Sequence, residues 1–146
     1  MSLVPLFPFN EYPVAVRTYV LSPDGQSLLF GTFGVYKGDQ ITNPLYLINV
    51  NDLSIEQLKT PDLAHGEQWL TDNKLLISYV KHPQTQLALG LFDLETSEVS
   101  ELTPMFNGLC IRFASVSPNL RWLAFATGED CDNLSDLWLM SLELDH

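Results

Sequence analysis

Three histidines, two cysteines and one acidic loop are the residues whose types could carry chemistry in this chain. A nucleophilic mechanism needs Ser, Cys or Thr beside a base that is itself oriented by a third group. His65 stands in Ala64-His65-Gly66-Glu67 between two apolar segments, His82 precedes Pro83 in a polar stretch, and His146 closes the chain. None belongs to a GxSxG or HExxH pattern, so all three read as solvated loop residues. Cys110 and Cys131 are too few for a disulfide framework and lack the CxxC spacing of a metal site. They read as free, mostly buried thiols. A bridge stays open, because Cys110 precedes one predicted strand and Cys131 follows the next. Glu129-Asp130-Cys131-Asp132-Asn133-Leu134-Ser135-Asp136 offers the oxygens that hard cations want. It lacks the glycine and the distal bidentate glutamate of a calcium loop, and reads as a solvated acidic turn. Gly31, Gly34 and Gly38 look like strand-end and loop glycines and open no phosphate-holding helix. No catalytic residue, cofactor site or metal ligand is therefore assigned, and the chain is expected not to be an enzyme.

What remains is a surface that could hold a partner. The loop aromatics Phe33, Tyr36 and Tyr79 are the candidate ligand or partner contacts, at one rim of the fold. Trp69, Trp122 and Trp138 fall in or beside predicted strands and are expected to pack in the core.

The elements that must position these residues follow from composition and pattern. At 146 residues and 16.5 kDa the chain is one ordinary domain, 46% hydrophobic and 17% charged, outside the range of disordered sequences. Seven basic against 18 acidic residues leave a net charge of −11, and no Lys/Arg cluster exists to grip nucleic acid or an anionic membrane. Residues 1–12 carry no positive charge ahead of their apolar positions and are broken by Pro5 and Pro8, which reads as neither signal peptide nor anchor. The expected location is the cytoplasm.

Helical periodicity is almost absent, and short apolar runs alternate with Gly, Pro, Asn and Asp clusters, so the chain reads as all-β. It also repeats itself. Residues 20–32, with Ser22-Pro23-Asp24-Gly25, align without a gap over residues 115–127, with Ser117-Pro118-Asn119-Leu120. A shorter middle copy runs through Thr71-Asp72-Asn73. Each copy leads to a second apolar run: Leu45-Tyr46-Leu47-Ile48, then Leu89-Gly90-Leu91-Phe92, then Leu137-Trp138-Leu139-Met140. A multi-strand unit repeating every mid-forties of residues marks a propeller blade.

The order "SPDG, apolar strand, loop, LYL-type strand, turn, L-T" resembles the TolB-type, WD-like β-propeller repeat. The resemblance implies blades of four antiparallel strands. The turn chemistry agrees: Pro23 pre-sets φ, Ser22 and Asp24 can bond local amides, and Gly25 accepts a positive φ. Leu120 occupies the glycine position of the third copy, where a side chain is strained, so a different or longer turn is expected there. Leu28-Leu29-Phe30, Leu75-Leu76-Ile77 and Leu123-Ala124-Phe125 are apolar on successive residues, as strands buried on both faces are.

The expected blades are about 14–60, 61–103 and 104–146 of a single domain, the third lacking its outer strand. Residues 1–13, apolar around Leu3 to Phe9, could supply that strand. Closed propellers have roughly four to eight blades. Three would leave both end faces open, so two copies are expected to associate head to tail into a six-bladed homodimeric ring. The other reading is a fragment of a longer propeller. The functional expectation is a protein-binding scaffold that presents its loops to a protein or peptide. The alternatives are an oligomeric lectin-like propeller and, because TolB-like blades resemble the propellers of prolyl-oligopeptidase-type hydrolases, the accessory part of such an enzyme.

Overall fold

The computed structural model describes residues 3, 15–33, 35–37, 40–61, 63–80, 87–106 and 108–144. The strands are β1 (Ala15–Leu21), β2 (Ser27–Phe33), β3 (Val35–Lys37), β4 (Gln40–Thr42), β5 (Leu45–Asn49), β6 (Ile55–Gln57), β7 (His65–Thr71), β8 (Lys74–Val80), β9 (Leu87–Asp93), β10 (Val99–Glu101), β11 (Cys110–Val116), β12 (Trp122–Gly128) and β13 (Asp136–Ser141). They form three antiparallel sheets in sequence order: β1-β2-β5-β6, β7-β8-β9-β10 and β11-β12-β13. The hairpin β3-β4 interrupts the connection from β2 to β5. This is the all-β, blade-by-blade architecture that the repeat implies. Of residues 1–13 only Leu3 is described, so the proposed donor strand lies outside the described residues.

The turn motif folds by its own side chains. Ser22 Oγ donates to Asp24 Oδ1 at 2.6 Å, the Gln26 amide donates to the same carboxylate at 2.9 Å, and the Gly25 amide closes the turn onto the Ser22 carbonyl at 2.9 Å. Gly25 has φ 71°, as expected. The third copy repeats this turn rather than a longer one. Ser117 Oγ donates to Asn119 Oδ1 at 2.6 Å, the Leu120 amide donates to the Ser117 carbonyl at 2.8 Å, and Leu120 takes φ 57°. The expectation of a different turn is thus corrected. A left-handed leucine costs roughly 1–2 kcal/mol, and its packing against the apolar cluster between the second and third sheets offsets that cost.

The sheets stack face to face through two cores. Leu29 and Leu45 of the first sheet meet Trp69, Leu75, Ile77 and Phe92 of the second. Leu70, Leu76 and Leu89 on the opposite face of the second sheet meet Val116, Leu123 and Phe125 of the third. The middle sheet is therefore sandwiched, and Leu75, Leu76 and Ile77 are all fully buried. In the end sheets the pattern is incomplete, since Leu28 and Ala124 keep partial exposure. β1 and β11 both pack against β7, which puts the first strand of each sheet nearest a common axis. Trp69 Nε1 donates to the Val20 carbonyl at 3.1 Å, and the Val116 amide donates to Gln68 Oε1 at 3.1 Å, tying these inner strands together. All three carry a register shift, near Arg17, Glu67 and Phe113, where an extra residue increases local twist.

Two further expectations change. Cys110 and Cys131 are not free thiols but form a disulfide, with Cα atoms 5.2 Å apart. The bridge closes because the connection from β12 to β13 folds back over Gly128 and beside β11. Arg112 Nη1 holds the same loop by donating to the Cys131 carbonyl at 3.3 Å. His65 is not in a solvated loop but in β7, paired with Ser78 and only partly exposed.

Candidate functional site

Phe33 ends β2, Tyr36 sits in β3, and Tyr79 lies one residue from the end of β8. β2 and β8 are the second strands of adjacent blades, so the topology places their ends at one rim. The side chains of Phe33 and Tyr36 lie outside the described residues. Tyr79 is half-buried against the first core, with its ring beside Gly90, where a Cβ would come within 2.9 Å of Cε1. Burial, with the Glu101 carboxylate adding to it, raises the phenol above its ordinary value of 10.0. A raised phenol keeps its neutral form in the fold, so its contribution is complete below pH 10 and is lost as the pH climbs through the folded value. Tyr79→Phe is therefore expected to reduce the loss of stability on titration above about pH 10, read by circular dichroism, and to leave the neutral-pH melt within about 0.5 kcal/mol.

The acidic loop is organised by its own turn. Asp130 accepts from Asn133 Nδ2 and from the amides of Asp132 and Asn133, which hold its carboxyl below the usual range. Among the described residues no three His, Cys, Asp or Glu side chains converge on a metal-sized point. His82 and His146 lie outside the described residues.

At the rim formed by the turns, a cavity of about 890 Å³ opens between the second and third blades. Asn73, Lys74, Asn119, Arg121 and Glu143 line it over Leu120 and Leu142, so charges of both signs face it. The sequence reading missed this site because its residues come from four separate segments, each unremarkable alone.

An exposed apolar strip runs along β12 and β13 on the outer side of the third blade, with Arg112 of β11 beside it opposite Ala126. Leu123 and Phe125 of β12 point into the second core, so Trp122, Ala124 and Ala126 alternate to the opposite face. Ala124 pairs with Leu139 and Ala126 with Leu137 across to β13, which sets both leucines on that face. Trp122, Leu137 and Leu139 are exposed, and β12 has no charged residue at all in a chain of net charge −11. β13 is also bare along its outer edge among the described residues, where β5 and β9 pair with β6 and β10. The core role expected of the tryptophans thus holds for buried Trp69 only in full. Trp138 is half-exposed, stacked edgewise on Phe106 at 4.9 Å and donating to Thr127 Oγ1 at 2.9 Å, while Trp122 lies on the open face.

No family model and no curated protein matches the sequence. Solved structures do. One, from a study of two prolyl endopeptidases and the role of inter-domain dynamics in their catalysis and specificity, has a TM-score of 0.64 at 20% identity over 96% of this chain. Another, TolB from Acinetobacter baumannii, has a TM-score of 0.65 at 14% identity over 84% of this chain. The chain spans 23% and 29% of those two proteins. At such identities the likeness speaks for the fold, and it supports a TolB-like β-propeller fold.

Proposed function

We propose that this chain is a non-enzymatic binding module, a rigid stack of propeller blades that makes protein–protein contacts. The observation that carries this reading is the exposed apolar strip along β12 and β13 of the third blade, with Trp122, Leu137 and Leu139 beside an edge of β13 that no described strand pairs. Contiguous apolar surface of this kind is rare on soluble monomers and marks interaction sites, and an unpaired apolar strand edge is a template for another chain. The rim that carries Phe33, Tyr36 and Tyr79 supplies the loops through which such a scaffold contacts a protein or peptide. The likeness to a prolyl endopeptidase supports a second reading, an accessory propeller that associates with a hydrolase domain.

The disulfide bears on location. Reducing cytosol keeps thiols apart, so the Cys110–Cys131 bridge supports an oxidising compartment over the expected cytoplasm. Among the described residues no helix is long and apolar enough to cross a membrane.

A photo-crosslinking amino acid placed at Leu139 tests the interaction reading in cells. Covalent adducts to protein are expected on irradiation, and adducts equally frequent from a probe at exposed Glu98, or none at all, would contradict it.

A further inference from the structure

We infer that the cavity between the turns of the second and third blades receives the C-terminal carboxylate of a peptide whose last side chain is apolar. This site is separate from the strip on β12 and β13, and it adds to the protein-interaction reading a second place of contact.

The repeat shows what is particular to this junction. Between the first and second blades the Asp24 amide donates to Asp72 Oδ1 at 3.2 Å, so the two turns touch. Among the described residues no hydrogen bond joins the corresponding turns of the second and third blades, and the cavity of about 890 Å³ opens there instead. The residues differ in the same sense. Lys74 is equivalent to Ser27, since each begins the second strand of its blade, paired with Asp93 and Asn49 respectively. Arg121 immediately precedes Trp122, the third-blade counterpart of Lys74, and is therefore equivalent to Asn73. The positions held by Ser27 and Asn73 at the first junction are thus held by two cations at the second, in a chain with seven basic against 18 acidic residues.

Neither cation makes an ion pair among the described residues. Asp93, opposite Lys74, gives a carboxylate oxygen to the amides of Glu95 and Thr96. Arg121 offers a planar fork that matches a carboxylate in two parallel bonds, and Lys74 adds a point charge. Glu143, exposed at the edge of the cavity, disfavours a second negative charge on the ligand. Asn119 Oδ1 is taken by Ser117 Oγ and the Arg121 amide, which leaves Nδ2 as a donor for a peptide carbonyl. Below these donors lie Leu120 and buried Leu142. Leu120 holds φ 57° where the first blade has Gly25, a backbone that disfavours any residue with a Cβ. Strain of this kind persists where a site uses the side chain, and here the leucine gives the cavity an apolar floor. Capture of a terminal carboxylate by converging donors is a recurring mode of peptide recognition.

Fluorescence anisotropy with the tetrapeptide Ala-Ala-Ala-Leu, labelled at its N-terminus and free at its C-terminus, tests this on the full chain. The acid is expected to bind, and its C-terminal amide to bind about tenfold or more weakly, because the charge that Arg121 and Lys74 meet is gone. Arg121→Gln is expected to lose a similar factor for the acid and little for the amide, a split that a merely structural role would not produce. Leu120→Gly suits the left-handed turn and so keeps the fold, yet it removes the floor and is expected to weaken the acid by about fivefold or more. Octanoate, a carboxylate with an apolar tail and no peptide groups, is expected to leave the labelled peptide bound at equal concentration. Equal binding of acid and amide, no binding at roughly 1 mM, wild-type affinity in either variant, or displacement by octanoate would each overturn the assignment. Crosslinks from Leu139 report on the strip alone, so this site and the protein-interaction reading fail or stand separately.

Discussion

Leu89→Ala is expected to cost about 2–5 kcal/mol of folding stability, whereas Leu137→Ala at the equivalent repeat position is expected to cost under about 0.5 kcal/mol in dilute monomeric chain. The two substitutions delete the same atoms from the same strand of adjacent blades. They differ in what covers those atoms. Leu89 is fully buried in the core between the second and third blades, beside Ile111 and Leu123, so truncation removes its transfer free energy and leaves a cavity that two rigid sheets cannot collapse into. Leu137 faces solvent and has no such cavity to leave. Chemical denaturation of both variants at low protein concentration checks this. Equal losses would mean that the third blade is covered within the single chain.

Removing the disulfide by paired Cys110→Ala and Cys131→Ala substitutions is expected to cost about 3 kcal/mol, the chain-entropy value for a closed loop of this size. The bond spans a sequence separation of 21 residues and pins the loop from Gly128 to Ser135 against β11. For a domain of this length that loss corresponds to a fall of roughly 6–12 °C in Tm. Arg112, which donates to the Cys131 carbonyl, keeps part of the loop in place, so local exchange in residues 129–135 should rise before the blade itself opens. A thermal melt of the double variant, with reduced wild type as a second arm, reads the effect. An unchanged Tm would show that the thiols are not bridged in the native protein.

Much of the fold was legible because it is written in local terms. The alternating apolar runs and the SPDG turn fix strand limits to within one or two residues, as at Ser27–Phe33 and Trp122–Gly128. What the sequence hid depends on contacts between distant segments. The hairpin of Val35–Lys37 and Gln40–Thr42 has only three residues on each side, too short for a periodic signal. The Cys110–Cys131 bridge requires a loop to fold back across β12, which spacing alone does not encode. Leu120 breaks a local rule, taking the glycine conformation, because tertiary packing outweighs the local strain. His65 lies in a stretch whose Gly66 reads as a loop; in the fold that glycine allows close approach to Leu29, which a Cβ would strike. The candidate surface followed the same division. The exposed apolar strip of the third blade was foreseeable from counting blades, whereas the burial of Phe30 and Ile48 on the outer face of the first blade and the inter-blade cavity lined by Lys74 and Arg121 were not.

The photo-crosslinking probe at exposed Leu139 tests the central claim most directly. Covalent protein adducts from Leu139, and far fewer from a probe at exposed Glu98 of the second blade, are expected on irradiation. Adducts equally frequent from both positions, or none from Leu139, would contradict it.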